Sequence, residues 1–169
     1  SKCIVSSEVV AYDDLGTEAI RKLEVKDSVQ AVEEIVPMMK KEGADVVIVL
    51  SHSGMGDATH EIGEEDVSYL LTKVADVDAV ITGHAHQVFP GTVDASLTNV
   101  DEEKGTMNNV PVVMPGKFGS HLGVIDLELE KDGTTWDVKQ GTGAVREIEK
   151  DDTDVDAELV EVVKEAHEG

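Results

Sequence analysis

Basic residues are scarce in this sequence: 14 Lys and Arg stand against 36 Asp and Glu, a formal net charge of −22 over 169 residues. Binding to a nucleic-acid polymer needs clustered cations to replace phosphate counterions, and no such cluster exists, so that partner class is excluded as a bulk ligand. Anionic membrane surfaces are disfavoured for the same reason. Cysteine is nearly absent; Cys3 stands alone, which rules out an internal disulfide and leaves the redox compartment open. Aromatics make up only 3% of the chain, so a core must be built from Val, Ile, Leu and Ala, a composition that suits a sheet covered by helices. No apolar run reaches membrane-spanning length, and Ser1 opens no signal-peptide pattern. The chain begins instead in a strand-like segment, as an excised piece would.

The length allows one domain with a proper core. Cys3 to Ala11 reads as a strand, followed by a turn at Asp13-Asp14-Leu15-Gly16 and a helical turn over Thr17 to Leu23. Asp27 is placed to cap a helix whose apolar stripe is Val29, Val32, Val36 and Met39, widened by Ile35; Pro37 should kink or shorten it. The uninterrupted Val46-Val47-Ile48-Val49-Leu50 reads as a strand buried on both faces. A helix over Glu64 to Val74 and a strand over Asp78 to Thr82 then complete a βαβ unit with parallel strands. The later chain is β-rich. Strands are expected over Val110 to Met114, Leu122 to Glu130, Thr134 to Gln140 and Ala144 to Glu149, with Asp132-Gly133 as a hairpin turn. An amphipathic helix over Asp154 to His167 should bury Val155, Leu159, Val162 and Val163.

Chemistry concentrates where the two apolar strands stop. Val47 to Leu50 runs into Ser51-His52-Ser53-Gly54, and Val80-Ile81 runs into Thr82-Gly83-His84-Ala85-His86. Both place His beyond the carboxyl end of a parallel strand, the edge where open α/β sheets bind ligands. His86 follows His84 by two, so an extended backbone would turn both rings the same way. Converging neutral imidazoles suit zinc, manganese or iron. On the residues alone, metal ligands and surface histidines remain equal readings. His60 reads as solvated, His167 as exposed, and His121 as structural, facing a substrate, or supporting a ligand from behind. The Gly116-Lys117-Phe118-Gly119 loop is either a ligand-approaching turn, with Lys117 toward an anion, or an ordinary connection.

Three segments taken together carry more. GADVVIVLSHSG, then VDAVITGHAHQVFPG, then KGTMNNVPVVMPGKFGSHLGVIDLELEKDGTTW resemble the metallophosphatase domain of the 5'-nucleotidase family. Within it the nearest likeness is to bacterial 2',3'-cyclic-nucleotide 2'-phosphodiesterase/3'-nucleotidases. The likeness runs in order from about Val25 to Gly169. It implies a two-metal site at strand ends, using zinc, manganese or iron, that activates water against phosphorus. His52 and His84 then match ligands of one ion and His86 a contact of the other; Lys117, Phe118 and His121, read from the residues and not from the resemblance, are the substrate-proximal candidates. The family's Asp-x-His, GDxxxG and GNHD/E motifs do not occur here, so the resemblance is to the C-terminal half of such a domain.

The expected fold is accordingly α/β, half of a metallophosphoesterase sandwich: a mixed sheet with parallel central strands, antiparallel outer strands and helices on one face. Residues 1–150 would form the partial domain, and 151–169 a helix or linker toward an absent nucleotide-binding domain. The other sheet face should be apolar and open, a surface through which two copies could dimerise. The resemblance implies a nucleotide substrate and a periplasmic, wall-associated or secreted location. The protein would act in nucleotide catabolism as a hydrolase of 2',3'-cyclic and 3'-nucleotides, with this chain by itself inert and its metal occupancy partial or nil. Rival readings are a 5'-nucleotidase or nucleotide-sugar hydrolase, and, outside enzymes, a non-catalytic acidic binding or surface module or a metal store.

Overall fold

The computed structural model describes residues 26–91, 93–149 and 156–168. The strand, turn and helical turn expected before Val25 lie outside the described residues.

Helix α1, Ser28–Lys41, starts where Asp27 supplies the cap: its Oδ1 accepts the Gln30 N–H at 3.0 Å. Val29, Val32 and Val36 are buried along one stripe, each worth about 1.5–3 kcal/mol of transfer energy. Pro37 neither ends nor shortens the helix, which continues one turn further. Lys40 and Lys41 lie in the last turn, and Lys40 Nζ reaches the Asp45 carbonyl at 2.8 Å and Asp78 Oδ2 at 3.5 Å.

Asp27 does more than cap. Its carboxylate also accepts the Gly63 N–H at 3.0 Å and stands 3.1 Å from His60 Nε2, so the helix start holds the far end of the Ser51–Gly63 loop. His60, expected to be solvated, is therefore a partner of a buried carboxylate. Burial works against the charged form of Asp27, but the N–H groups of Gly63 and Gln30 and the His60 ring outweigh it and hold the carboxyl below its ordinary range. A depressed carboxyl stabilises the fold above its unfolded-state value, near pH 4, and that contribution fades as pH falls through the folded value. Asp27→Ala is expected to cost about 2 kcal/mol at pH 7. In urea melts the gap to the parent protein should narrow at pH 3; an equal gap at both pH values would refute this account.

Strand β1, Ile48–Leu50, helix α2, Ser68–Leu71, and strand β2, Ala79–Ile81, form the βαβ unit, with β1 and β2 parallel in the register Val49↔Val80. β3 (Val88–Phe89), β4 (Val100–Asp101), β5 (Thr106–Met107) and β6 (Val110–Pro115) follow. The sheet order is β1-β2-β6-β5-β4, parallel from β1 to β6 and antiparallel beyond, with β3 antiparallel to the end of β6. This is the mixed α/β sheet that the sequence predicts. The core lies between α1, α2 and one sheet face, where Val36, Val47, Leu71, Val80, Val112 and Met114 are buried.

The other face of β1–β2 is open. Ile48 and Leu50 are about half exposed and Ile81 somewhat less, so this strand is buried on one face and not on both, as its apolar run predicts. Over β6 the same face is covered: the Gly123 Cα approaches so closely that a Cβ would stand 3.1 Å from Val113. That cover is a long hairpin, β7 (His121–Asp132) and β8 (Thr135–Glu147), turning at Gly133. The two strands expected over Thr134 to Gln140 and Ala144 to Glu149 are one, because Gly141 and Gly143 let the chain pass closely over Pro111 and the Val112 carbonyl without breaking the ladder. Helix α3, Ala157–Glu168, exposes Leu159, Val160, Val162 and Val163, contrary to the inward stripe expected there.

Candidate functional site

The predicted helix from Glu64 to Val74 is cut to one turn, and the reason builds the site. In a longer helix the N–H groups of Val67, Ser68 and Tyr69 would bond to carbonyls four residues earlier. Here they donate to Ser53 Oγ at 2.7 Å, Gly54 O at 3.0 Å and Met55 O at 2.9 Å. The loop after β1 is thus laced to the start of α2. Asp66 Oδ1 takes the Gly54 N–H at 2.5 Å, and the Ser53 hydroxyl donates to Glu65 O at 2.9 Å. Two glycines permit the approach: a Cβ on Gly54 would meet the Asp66 carboxylate at 2.5 Å, and one on Gly56 would lie 1.8 Å from the Asp66 carbonyl oxygen.

His52 projects from this anchored loop, with the Ser51 N–H held by Ile81 O at 2.8 Å across the strand ends. Its ring meets that of His84 edge to face, with centroids 5.2 Å apart. Gly83 lies beside it, where an added Cβ would make only ordinary contact with His52 Nδ1 at 3.9 Å. His84 Nε2 lies 2.9 Å from Glu65 Oε1, a carboxylate that inspection of the sequence passes over. The acids at the start of a predicted helix read as dipole partners, and only the loop lacing brings this one to the imidazole.

His86 does not join them. Both His84 and His86 adopt left-handed backbone, φ +62 and +58, so the extended geometry that would align their rings does not occur. Left-handed backbone at residues with a Cβ costs about 1–2 kcal/mol each, strain of the sort that collects at functional sites. The result is divergence. His84 faces His52 and Glu65, whereas the His86 ring sits 6.0 Å from that of Phe118.

Phe118 is itself left-handed, φ +55, between Gly116 and Gly119, both at +72, and the residue is 93% exposed. Lys117 Nζ stands 5.4 Å from that ring. With His86, Gly116, Ser120 and the facing Glu147 and Glu149, these residues line an open cleft of about 890 Å³. His121 lies beside it, 2.9 Å from Ser120 Oγ through Nδ1. A second cleft of about 570 Å³, between Lys104 and the hairpin residues Asp126, Lys139 and Gln140, holds none of the predicted site residues. The side chain of His167 lies outside the described residues.

As a donor set, two imidazoles at strand ends with a carboxylate beside one of them fit one corner of a divalent-ion centre. They do not close it: among the described residues, no three His, Cys, Asp or Glu side chains group as an ion would require.

Residues 6–88 match the family model described as calcineurin-like phosphoesterase. The chain is 41% identical over 170 residues to the 2',3'-cyclic-nucleotide 2'-phosphodiesterase/3'-nucleotidase of Salmonella typhimurium, which covers 97% of this chain and 26% of that protein. It is 36% identical over 165 residues to the trifunctional nucleotide phosphoesterase protein YfkN of Bacillus subtilis, covering 97% of this chain and 11% of the relative. The crystal structure of calcineurin-like phosphoesterase YfkN from Bacillus subtilis superposes with a TM-score of 0.80 at 37% identity, over 90% of this chain and 47% of that one. The chain thus spans between about a tenth and a quarter of these curated relatives' length, and the likeness reaches upstream of Val25, further than its motifs alone indicate. By family match, sequence identity and fold together, this chain belongs to the calcineurin-like phosphoesterases.

Proposed function

We propose that the chain supplies one side of a metal-dependent phosphoesterase centre whose substrates are 2',3'-cyclic nucleotides and 3'-nucleotides. The observation that carries this reading is the edge-to-face meeting of His52 and His84 at two parallel strand ends, with His86 turned away toward the Lys117–Phe118 cleft. The family generally uses two divalent ions, which when bound polarise a phosphoryl oxygen and make water acidic enough to attack it. In this chain His52 and His84 would hold one ion as neutral imidazoles. Glu65 Oε1, 2.9 Å from His84 Nε2, would fix the orientation of that ring. His86, on the other side of the strained turn, would contact the second ion. Lys117 offers its ammonium to a phosphate, Phe118 a planar face to a base or ribose, and His121 stands behind them with its Nδ1 engaged by Ser120.

By itself the chain is inert in this reading, because the Asp-x-His, GDxxxG and GNHD/E donors are not in its sequence. The test incubates 2',3'-cyclic AMP, 3'-AMP and 5'-AMP with zinc or manganese, using this chain and a longer protein that adds those motifs, and separates the products by chromatography. Cyclic AMP opening and 3'-phosphate release by the longer protein alone is the expected result. Turnover by this chain would overturn its inertness; failure of the longer protein on all three substrates would remove the phosphoesterase reading. Preference for 5'-AMP would move the assignment to a 5'-nucleotidase, a reading that the 28% identity over 137 residues to the Diplobatis ommata 5'-nucleotidase keeps in view.

A further inference from the structure

Behind the His52–His84 corner lies a buried set of hydroxyls that the proposed chemistry does not use. Ser51, Ser53, Ser68 and Thr82 are all among the buried polar residues, and Ser68 is wholly inaccessible. Ser68 Oγ stands 2.6 Å from Thr82 Oγ1, 3.1 Å from Ser53 O and 3.5 Å from Ser51 Oγ, and the Thr82 hydroxyl donates to Ser53 O. Each hydroxyl has one proton. The Thr82 proton goes to the Ser53 carbonyl, and the single Ser68 proton has Ser53 O, Ser51 Oγ and Thr82 Oγ1 within reach. These bonds bridge three separate segments: the loop after β1, the start of α2 and the end of β2. Ser51 and Ser53 flank His52, and Thr82 precedes His84 by two residues. Among the described residues, backbone pairing between β1 and β2 ends at Leu50 and Ile81 and the Ser51 N–H bond, and beyond that point these hydroxyls help to tie the two histidine-bearing loops together.

We propose that Ser68 and Thr82 are positioning residues that set the separation of the His52 and His84 rings. This rests on the metal reading above for its functional consequence, but the geometric claim is separable from it. An apolar isostere at Thr82 removes one of the two hydroxyls that reach the Ser53 carbonyl and breaks the side-chain tie from the end of β2 to the loop after β1. Groups that orient a metal-binding histidine from behind typically alter ion affinity by 10- to 100-fold.

The experiment compares Thr82→Val, which keeps shape and loses the hydroxyl, with Thr82→Ser, which keeps the hydroxyl. One readout is the nuclear Overhauser contact between the His52 and His84 rings, with the β7–β8 amide spectrum as the fold control. The other is zinc affinity by calorimetry. Loss of the ring contact and roughly tenfold weaker zinc binding in Thr82→Val, with both kept in Thr82→Ser, is the expected pattern. A ring contact of full intensity in Thr82→Val, or its equal loss in Thr82→Ser, overturns the proposal. Should Thr82→Val fail to fold, Ser68→Ala is read by the same two criteria. His52→Ala separates the two claims: unchanged zinc affinity in that variant removes the metal reading, and the ring contact then decides the positioning claim by itself.

Discussion

His84→Ala, made in a protein that joins this chain to the missing Asp and Asn donors, is expected to lower kcat/KM for 2',3'-cyclic AMP about 10³-fold, or about 4 kcal/mol of transition-state stabilisation. The size follows from the role. An imidazole that holds an ion takes several kcal/mol of charge stabilisation with it when removed, whereas a carboxylate that only orients that imidazole takes less. The Glu65 side chain touches the corner through His84 and is otherwise exposed, so Glu65→Gln should cost about tenfold and recover with added zinc. His60→Ala lies on the same loop but engages Asp27, and should leave kcat unchanged while lowering stability. Steady-state kinetics across a zinc titration check all three. A His84→Ala protein within threefold of its parent would remove His84 from the centre.

The second large effect is on folding. Gly56→Ala is expected to destabilise the chain by about 4 kcal/mol or more, or to prevent its folding. Two independent penalties meet there. The backbone is left-handed, φ +71, and the added methyl would fall 1.8 Å from the Asp66 carbonyl, a contact that no rotamer change can relieve because both partners are main chain. Separating them would undo the Tyr69 N–H bond to Met55 O and the Ser68 N–H bond to Gly54 O, which start α2. Gly63→Ala is the control: it is also left-handed, φ +84, but has open space around the added methyl, and should cost only about 1 kcal/mol. Urea denaturation of the pair checks the argument. Equal losses in both would mean that the backbone conformation, and not the close approach, is what matters.

Much of this protein is legible without coordinates, and the reason is local. The cap at Asp27 and the stripe Val29, Val32, Val36 specify α1 through neighbours three and four residues away. Alternation and an Asp-Gly turn specify the β7–β8 hairpin. Two apolar runs ending in His and Gly specify where ligands would bind, since parallel strands joined by a crossover must present their carboxyl ends on one edge. The motifs around His52, His84 and His86 identified the family in the same way, because they are contiguous.

What only the tertiary structure decided depends on contacts between segments far apart in the chain. The helix predicted from Glu64 shrank to Ser68–Leu71 because a loop twelve or more residues earlier captured its first N–H groups, a competition that no periodicity records. His84 and His86 parted because two left-handed residues reversed the backbone between them, and spacing by two says nothing of φ. His60 found Asp27 across 33 residues, and Glu65 found His84 only after the loop was laced. The sequence by itself determined which strands end in histidine and that both end on one edge of the sheet. The folded chain decided which of those residues meet, because the geometry of a loop is set by the hydrogen bonds it takes from its neighbours and not by its own residue pattern.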